Sequence, residues 1–273
     1  MIHTPQEREH TRATIAFMSR KLMLSSRVVE LCESEATPRQ EEFLLKVLSE
    51  EIDRRERGRK ARLLNRAGFP TFKSFEDYDF SEIRFPPTLS IEELLRTDFI
   101  PEKKNLVLYG GVGTGKTHMA IALGIAACEK GLSVRFLTVT ELVLKLTEAY
   151  KEGTLERLIR ELKQLDLLIL DEWGYVPVDR EGSQLLFRII ADSYESKSLI
   201  LTTNLEFSKW GGIFTDEQMA AAMIDRLVHH GHLLLFEAKS YRMTHALMRQ
   251  PGPGKLKPKT TVEAGSRLEE GGA

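Results

Sequence analysis

The sequence predicts an α/β fold: a five-stranded parallel sheet flanked by helices, preceded by a small helical region. Two observations carry that expectation. Apolar strand-like runs recur at 105–110, 133–139, 166–171, 198–204 and 232–237, separated by helical stretches, as in a sheet covered on both faces. The first run, Asn105-Leu106-Val107-Leu108-Tyr109, enters a glycine-rich loop, and Met119-Ala120-Ile121-Ala122-Leu123 leaves it with helix formers.

Three regions follow in order. Residues 1–68 are charged and helical in pattern. Thr37-Pro38-Arg39-Gln40 makes a helix start, with Thr37 as N-cap, Pro38 in the first turn and Gln40 closing a capping box, and Gly68 supplies the stop. The helix between them would be about 45 Å long, with Phe43, Val47 and Leu48 on an early apolar face. Arg55, Arg59, Arg62 and Arg66, spaced i, i+4, i+7, i+11, share one face of its second half. Residues 69–249 form the α/β core, and the last 24, from Gln250, are rich in Pro, Gly and charge and read as a disordered tail.

The loop decides the chemistry. Gly110-Gly111-Val112-Gly113-Thr114-Gly115-Lys116-Thr117 satisfies G-x-x-x-x-G-K-[ST], and His118 follows. Glycines at 110, 113 and 115 free the backbone to wrap phosphates with inward N–H groups, at the positive end of the next helix. Lys116 would reach the β- and γ-phosphates, and Thr117 would offer its hydroxyl to Mg²⁺. About fifty residues on, "LDLLILDEWG" is a buried strand ending in Asp171-Glu172. Asp171 can hold Mg²⁺ through water, and Glu172 is free to orient and deprotonate an attacking water. A phosphate-donating kinase must avoid such a water-activating carboxylate, so the pair favours hydrolysis over transfer. The strand "SLILTTN" ends in Asn204, whose amide can reach the γ-phosphate and the lytic water. Arg226 lies near the end of the helix before the last strand and Arg242 just after that strand; either also reads as a surface residue. His229, His230 and His232 read as interfacial or turn residues, with no carboxylate spacing for a metal.

Composition excludes several classes. Lys and Arg total 39 against 40 Asp and Glu, so polyanion binding must come from local clusters. Cys32 and Cys128 lack the spacing of a disulfide framework or zinc site. No run reaches the length of a membrane helix and the start "MIHTPQEREHTR" is no signal peptide, so the expected setting is the cytoplasm.

Together, "GGVGTGKTH", "LLILDEWGYVP", "LILTTNL", Trp210, "DRLVHHGH" and "SYR" closely resemble the IstB/DnaC-like family of AAA+ ATPases, nearest to IstB, the transposition helper of insertion sequences. The likeness covers about residues 10–249, and "NRAGFPTFKSFEDYDFS" before the core also looks like IstB. It implies an AAA+ P-loop core, ATP and Mg²⁺ as cofactors, and an ATP-dependent homo-oligomer on duplex DNA with active sites at subunit interfaces. Lys116 and Thr117 match the Walker A residues, Asp171 and Glu172 the Walker B pair, Asn204 sensor 1, Arg226 the arginine finger and Arg242 sensor 2. About 36 residues follow the last strand, too few for the full helical lid of other AAA+ proteins, a truncation IstB-like proteins share.

The leading expectation is an ATPase that recruits or activates a transposase at target DNA; the alternative is a DnaC-like loader of a replicative helicase. A small-molecule kinase would lack Glu172, a GTPase would carry N-K-x-D, and intact Lys116, Asp171 and Glu172 argue against a non-catalytic scaffold. DNA contact has two candidates. The arginine stripe could neutralise phosphates, although Glu51, Asp53 and Glu56 beside it offer intrahelical pairing instead. The span 145–160, with Lys145, Lys151, Arg157 and Arg160, resembles the DNA-facing insertion of initiator-type AAA+ proteins.

Overall fold

The long helix expected from its caps is present over its full length. A computed structural model describes residues 4–175, 179–212, 214 and 216–244. Helices α1 (Pro5–Lys21), α2 (Arg27–Glu35) and α3 (Pro38–Ala67) come first. In α3 the Gln40 side chain accepts from the Thr37 N–H at 2.8 Å, and Gly68 ends the helix at φ +77°.

The buried face of α3 differs from the expected one. Phe43 is 70% and Val47 45% exposed, while Leu48 and Ile52 pack with Ile15, Leu22 and Cys32. The docking of α1 decides this, selecting the Leu44-Leu48-Ile52 stripe at i, i+4, i+8. Glu41, 1% exposed, takes Arg8 and Arg12 of α1 into that same seam, at 2.9 and 2.7 Å. Further along, Leu63, Leu64 and Ala67 belong to the core of the sheet. One helix therefore joins the N-terminal bundle to the α/β unit.

The remaining elements are β1 (Ile83–Arg84), α4 (Ile91–Leu95), β2 (Asn105–Gly110), α5 (Lys116–Glu129), β3 (Val134–Thr138), α6 (Val139–Lys151), α7 (Leu155–Lys163), β4 (Leu167–Trp173), α8 (Arg180–Ser193), β5 (Ser198–Thr203), a 3₁₀ turn (Phe207–Gly212), α9 (Glu217–His229), β6 (Gly231–Phe236) and α10 (Tyr241–Thr244). The sheet order is β1-β6-β2-β5-β4-β3. All five expected strands are present and parallel, and the two-residue β1 adds an antiparallel sixth at the β6 edge.

Strand alternation sorts the apolar runs onto two faces. Leu168, Leu170, Leu199 and Leu201 face one core with α6, α7, α8 and α9, while Leu167, Ile169 and Ile200 face the other with α5. Burying both faces places the carboxyl ends of β2, β4 and β5 side by side, where a parallel sheet presents its ligands. Among the described residues no helix is long and apolar enough to cross a membrane. The tail from Gln250 lies outside the described residues.

Candidate functional site

The site is built where β2 ends and α5 begins. At Gly110 the chain runs so close to β6 that a Cβ would lie 2.3 Å from the Phe236 carbonyl oxygen. Gly115, the N-cap of α5, sits at φ +99°, and a Cβ there would lie 2.9 Å from Tyr78 Oη. Only glycine fits at either place, because β6 and Tyr78 leave no room for a Cβ and Gly115 takes a left-handed turn. Helix α5 runs 14 residues, so its first N–H groups present positive partial charge to that space.

Lys116 folds back over the loop, its Nζ donating to the Gly110 and Gly111 carbonyls at 2.9 and 2.6 Å. Burial pushes its pKa down to about 8, the Asp171 carboxylate opposes that shift and the Arg242 guanidinium adds to it. Thr117 donates to both carboxylate oxygens of Asp171, at 3.0 and 3.1 Å. A hydroxyl and a carboxylate at this spacing are hard oxygen donors that suit Mg²⁺ with waters completing its shell. Asp171 is buried and Glu172, the next residue, is exposed. Glu172 adopts φ +62°, a left-handed conformation that costs a non-glycine residue about 1–3 kcal/mol.

The remaining expected residues fall in three places. Arg242 of α10 lies by the loop, its Nε 3.5 Å from where a Gly113 Cβ would be, and the Tyr241 N–H donates to the Gly113 carbonyl at 2.9 Å. Asn204 is exposed just beyond β5, one residue past Thr203, which pairs with Trp173 at the end of β4. Arg226 contacts neither Lys116 nor the carboxylates: Nη1 donates to the Ala222 carbonyl at 2.8 Å and the guanidinium lies 5.2 Å from the Phe187 ring centre. Val112 and Thr114 line the loop itself, Thr114 closing it with a 2.9 Å bond to the Gly111 carbonyl. His118 bonds the Ser74 carbonyl at 2.7 Å and its ring lies 5.0 Å from Tyr78.

Two contributors were missed in the sequence. Tyr78 donates to the Gly115 carbonyl at 3.3 Å, so the aromatic segment Phe75-Tyr78-Phe80 is seated on the start of α5. Thr202 of β5 accepts from the Glu172 N–H at 3.1 Å and donates to Asp171. Strand pairing sets it there: Leu168-Ile169-Leu170 lies in register with Leu199-Ile200-Leu201, which puts Thr202 beside the carboxylates.

The DNA candidates are only partly free. Arg55 pairs with Glu51 at 2.8 Å and Arg59 donates to the Gly131 carbonyl at 3.0 Å, whereas Arg62 and Arg66 are exposed. On α6 and α7, Lys145, Lys151, Arg157 and Arg160 are exposed, with Arg157 paired to Glu161 at 3.1 Å. Each histidine of the triplet has a local partner: His229 with Tyr194, His230 with Glu195 and His232 with Thr88, all at 3.0 Å. Among the described residues no three or more His, Cys, Asp or Glu side chains come together as a metal-binding group.

Comparison with known proteins fits this geometry. The family model described as IstB-like ATP binding protein matches residues 24–248. The chain belongs to this IstB-like family. Its relatives include an insertion sequence IS21 protein of Pseudomonas aeruginosa, 40% identical over 206 residues, 74% of this chain and 76% of that one. Another is the IS5376 protein of Geobacillus stearothermophilus, 35% identical over 209 residues, 77% and 83% of the two chains. Each is named as a candidate ATP-binding protein of its element. Among solved structures, the DnaC helicase loader is similar over 64% of this chain and 98% of its own, at 21% identity and a TM-score of 0.46. In this IstB-like protein, the glycine loop follows the central strand β2 and meets the acidic end of β4 through Thr117 and Asp171, and the family description names ATP binding.

Proposed function

We propose that this IstB-like protein hydrolyses ATP, assembles on duplex DNA in its ATP-bound form, and recruits or activates a partner transposase. The observation that carries the hydrolytic part is the Thr117–Asp171 contact at the mouth of the glycine loop, with the exposed carboxylate of Glu172 beside it. In this reading Lys116 leaves its two carbonyls for the β- and γ-phosphates, and Thr117 and Asp171 hold Mg²⁺. The bound ion would neutralise charge on the phosphates. Glu172 takes a proton from the attacking water, Asn204 reports the state of the γ-phosphate, and Arg242 adds positive charge over the loop.

Arg226 is the residue this reading assigns to a neighbour's site. Its distance in contacts from its own loop supports a role in trans, and release from Phe187 would free it to meet a neighbour's γ-phosphate. ATP then acts as an assembly switch, because a nucleotide held between two copies favours the oligomer. The insertion-sequence names of the relatives support a transposase as partner. Exposed Arg62, Arg66, Lys145, Lys151 and Arg160 support contact with DNA phosphates.

The test is ATP turnover with Mg²⁺, measured alone, with duplex DNA, and with either an insertion-sequence transposase or a replicative helicase. Turnover raised by DNA and by the transposase is expected. Stimulation by the helicase alone would make the protein a loader, and no turnover under any condition would overturn the ATPase reading.

A further inference from the structure

The two acidic residues that the site needs are adjacent in sequence, which poses a geometric problem. Neighbouring side chains on a regular strand point to opposite faces of the sheet. Here the β4/β5 register runs evenly to Leu170–Leu201 and resumes at Trp173–Thr203, so Asp171 and Glu172 together stand opposite the single residue Thr202. That is a β-bulge, a device that re-aims a side chain at the end of a paired strand. Glu172 turns through φ +62° within it, and no glycine is present to ease the turn.

We propose that Thr202 is the positioning residue of this site, one hydroxyl setting both carboxylates. Its Oγ1 donates to Asp171 and accepts the Glu172 N–H at 3.1 Å, the amide that the bulge withdraws from the ladder. The hydroxyl is buried, so neither bond is replaced by solvent when it is removed. Thr203 supports the same arrangement from the next position, donating to the Trp173 carbonyl at 2.9 Å. Asp171 is thereby aimed at Thr117, and Glu172 is held in its left-handed turn with its side chain in solvent. The catalytic consequence rests on the ATPase reading; the geometric one does not.

The experiment compares Thr202→Val, which keeps the shape without the hydroxyl, with Thr202→Ser, which keeps the hydroxyl. Hydrogen exchange at the Glu172 amide is followed by NMR in the nucleotide-free protein, and ATP turnover is measured in parallel. Valine should speed exchange by at least about tenfold, because an opened amide exchanges with solvent, and lower kcat by about ten- to hundredfold through misplacement of the base. Serine should stay within about threefold of the parent in both. Unchanged exchange in Thr202→Val overturns the proposal, as does a serine variant as impaired as valine, which would place the role in packing. If valine does not fold, the serine comparison alone decides. A parent protein without turnover removes the ATPase reading and leaves the exchange result to judge the positioning role.

Discussion

Thr117 and Asp171 face each other at the mouth of the glycine loop, hydroxyl to carboxylate at 3.0 and 3.1 Å. Thr117 opens α5, which follows β2, and Asp171 lies on β4; β5 alone separates β2 from β4 in the sheet. Thr117→Ala should therefore bind ATP without Mg²⁺ much as the parent does but lose most of the strengthening that Mg²⁺ brings. Lys116→Ala should lose affinity in both conditions. Titration of a fluorescent ATP analogue with Mg²⁺ or with EDTA separates the two, and equal Mg²⁺ enhancement in Thr117→Ala would remove this pair as the metal site.

Glu172→Gln keeps the size of the side chain and removes its basicity. ATP binding should persist while turnover falls by about 10²- to 10⁴-fold, the contribution of a positioned general base. Single-turnover hydrolysis is the measurement, and a parent-like rate would move the base to another residue.

Glu41 predicts how the N-terminal bundle responds to acid. Burial pushes its pKa up, but the hydrogen bonds from Arg8 and Arg12 outweigh this and hold it below the ordinary 4.5. A folded-state pKa below the unfolded one gives stability that is present above about pH 4.5 and lost as pH falls through the lowered value. Glu41→Gln should cost on the order of 2 kcal/mol at pH 7, since it leaves two arginines facing a buried neutral group, and its penalty should shrink in acid. Denaturant midpoints at pH 7 and pH 4 test this; a constant penalty would place the role in packing alone.

The arginine stripe now divides in two. Arg62→Gln with Arg66→Gln should weaken duplex binding about equally across sequences and lower the salt slope by about 2, one unit per lost phosphate contact. Arg59→Gln should instead lower stability, because it loses its bond to the Gly131 carbonyl. An unchanged slope in the double variant would return the stripe to a solvated helix face.

Much of this site could be read from the chain because its parts are local. Four-residue runs such as Leu167-Leu168-Ile169-Leu170 announce buried strands, and the glycine loop and acidic pair are contiguous motifs. What escaped depends on tertiary docking. The exposure of Phe43 and Val47 follows from where α1 lies, the capture of Arg59 follows from where α3 meets the turn at Gly131, and β1 is too short to leave an apolar pattern. The left-handed turn at Glu172 left no sign either, since it is held by a hydroxyl from another strand and not by a glycine.

The central claim, ATP hydrolysed in sites shared between copies of the chain, is tested most directly by mixing two inactive variants. Arg226→Ala should bind nucleotide and lose turnover by about 10³- to 10⁵-fold, as removal of a finger does, and Lys116→Ala should be inactive because its own loop is empty. Mixed in equal amounts, a Lys116→Ala copy can offer its intact Arg226 to the intact loop of an Arg226→Ala copy. In random head-to-tail pairing about a quarter of the interfaces combine the two intact halves. The account predicts turnover in the mixture well above that of either variant alone. Mixed oligomers that demonstrably form and remain inactive would contradict it.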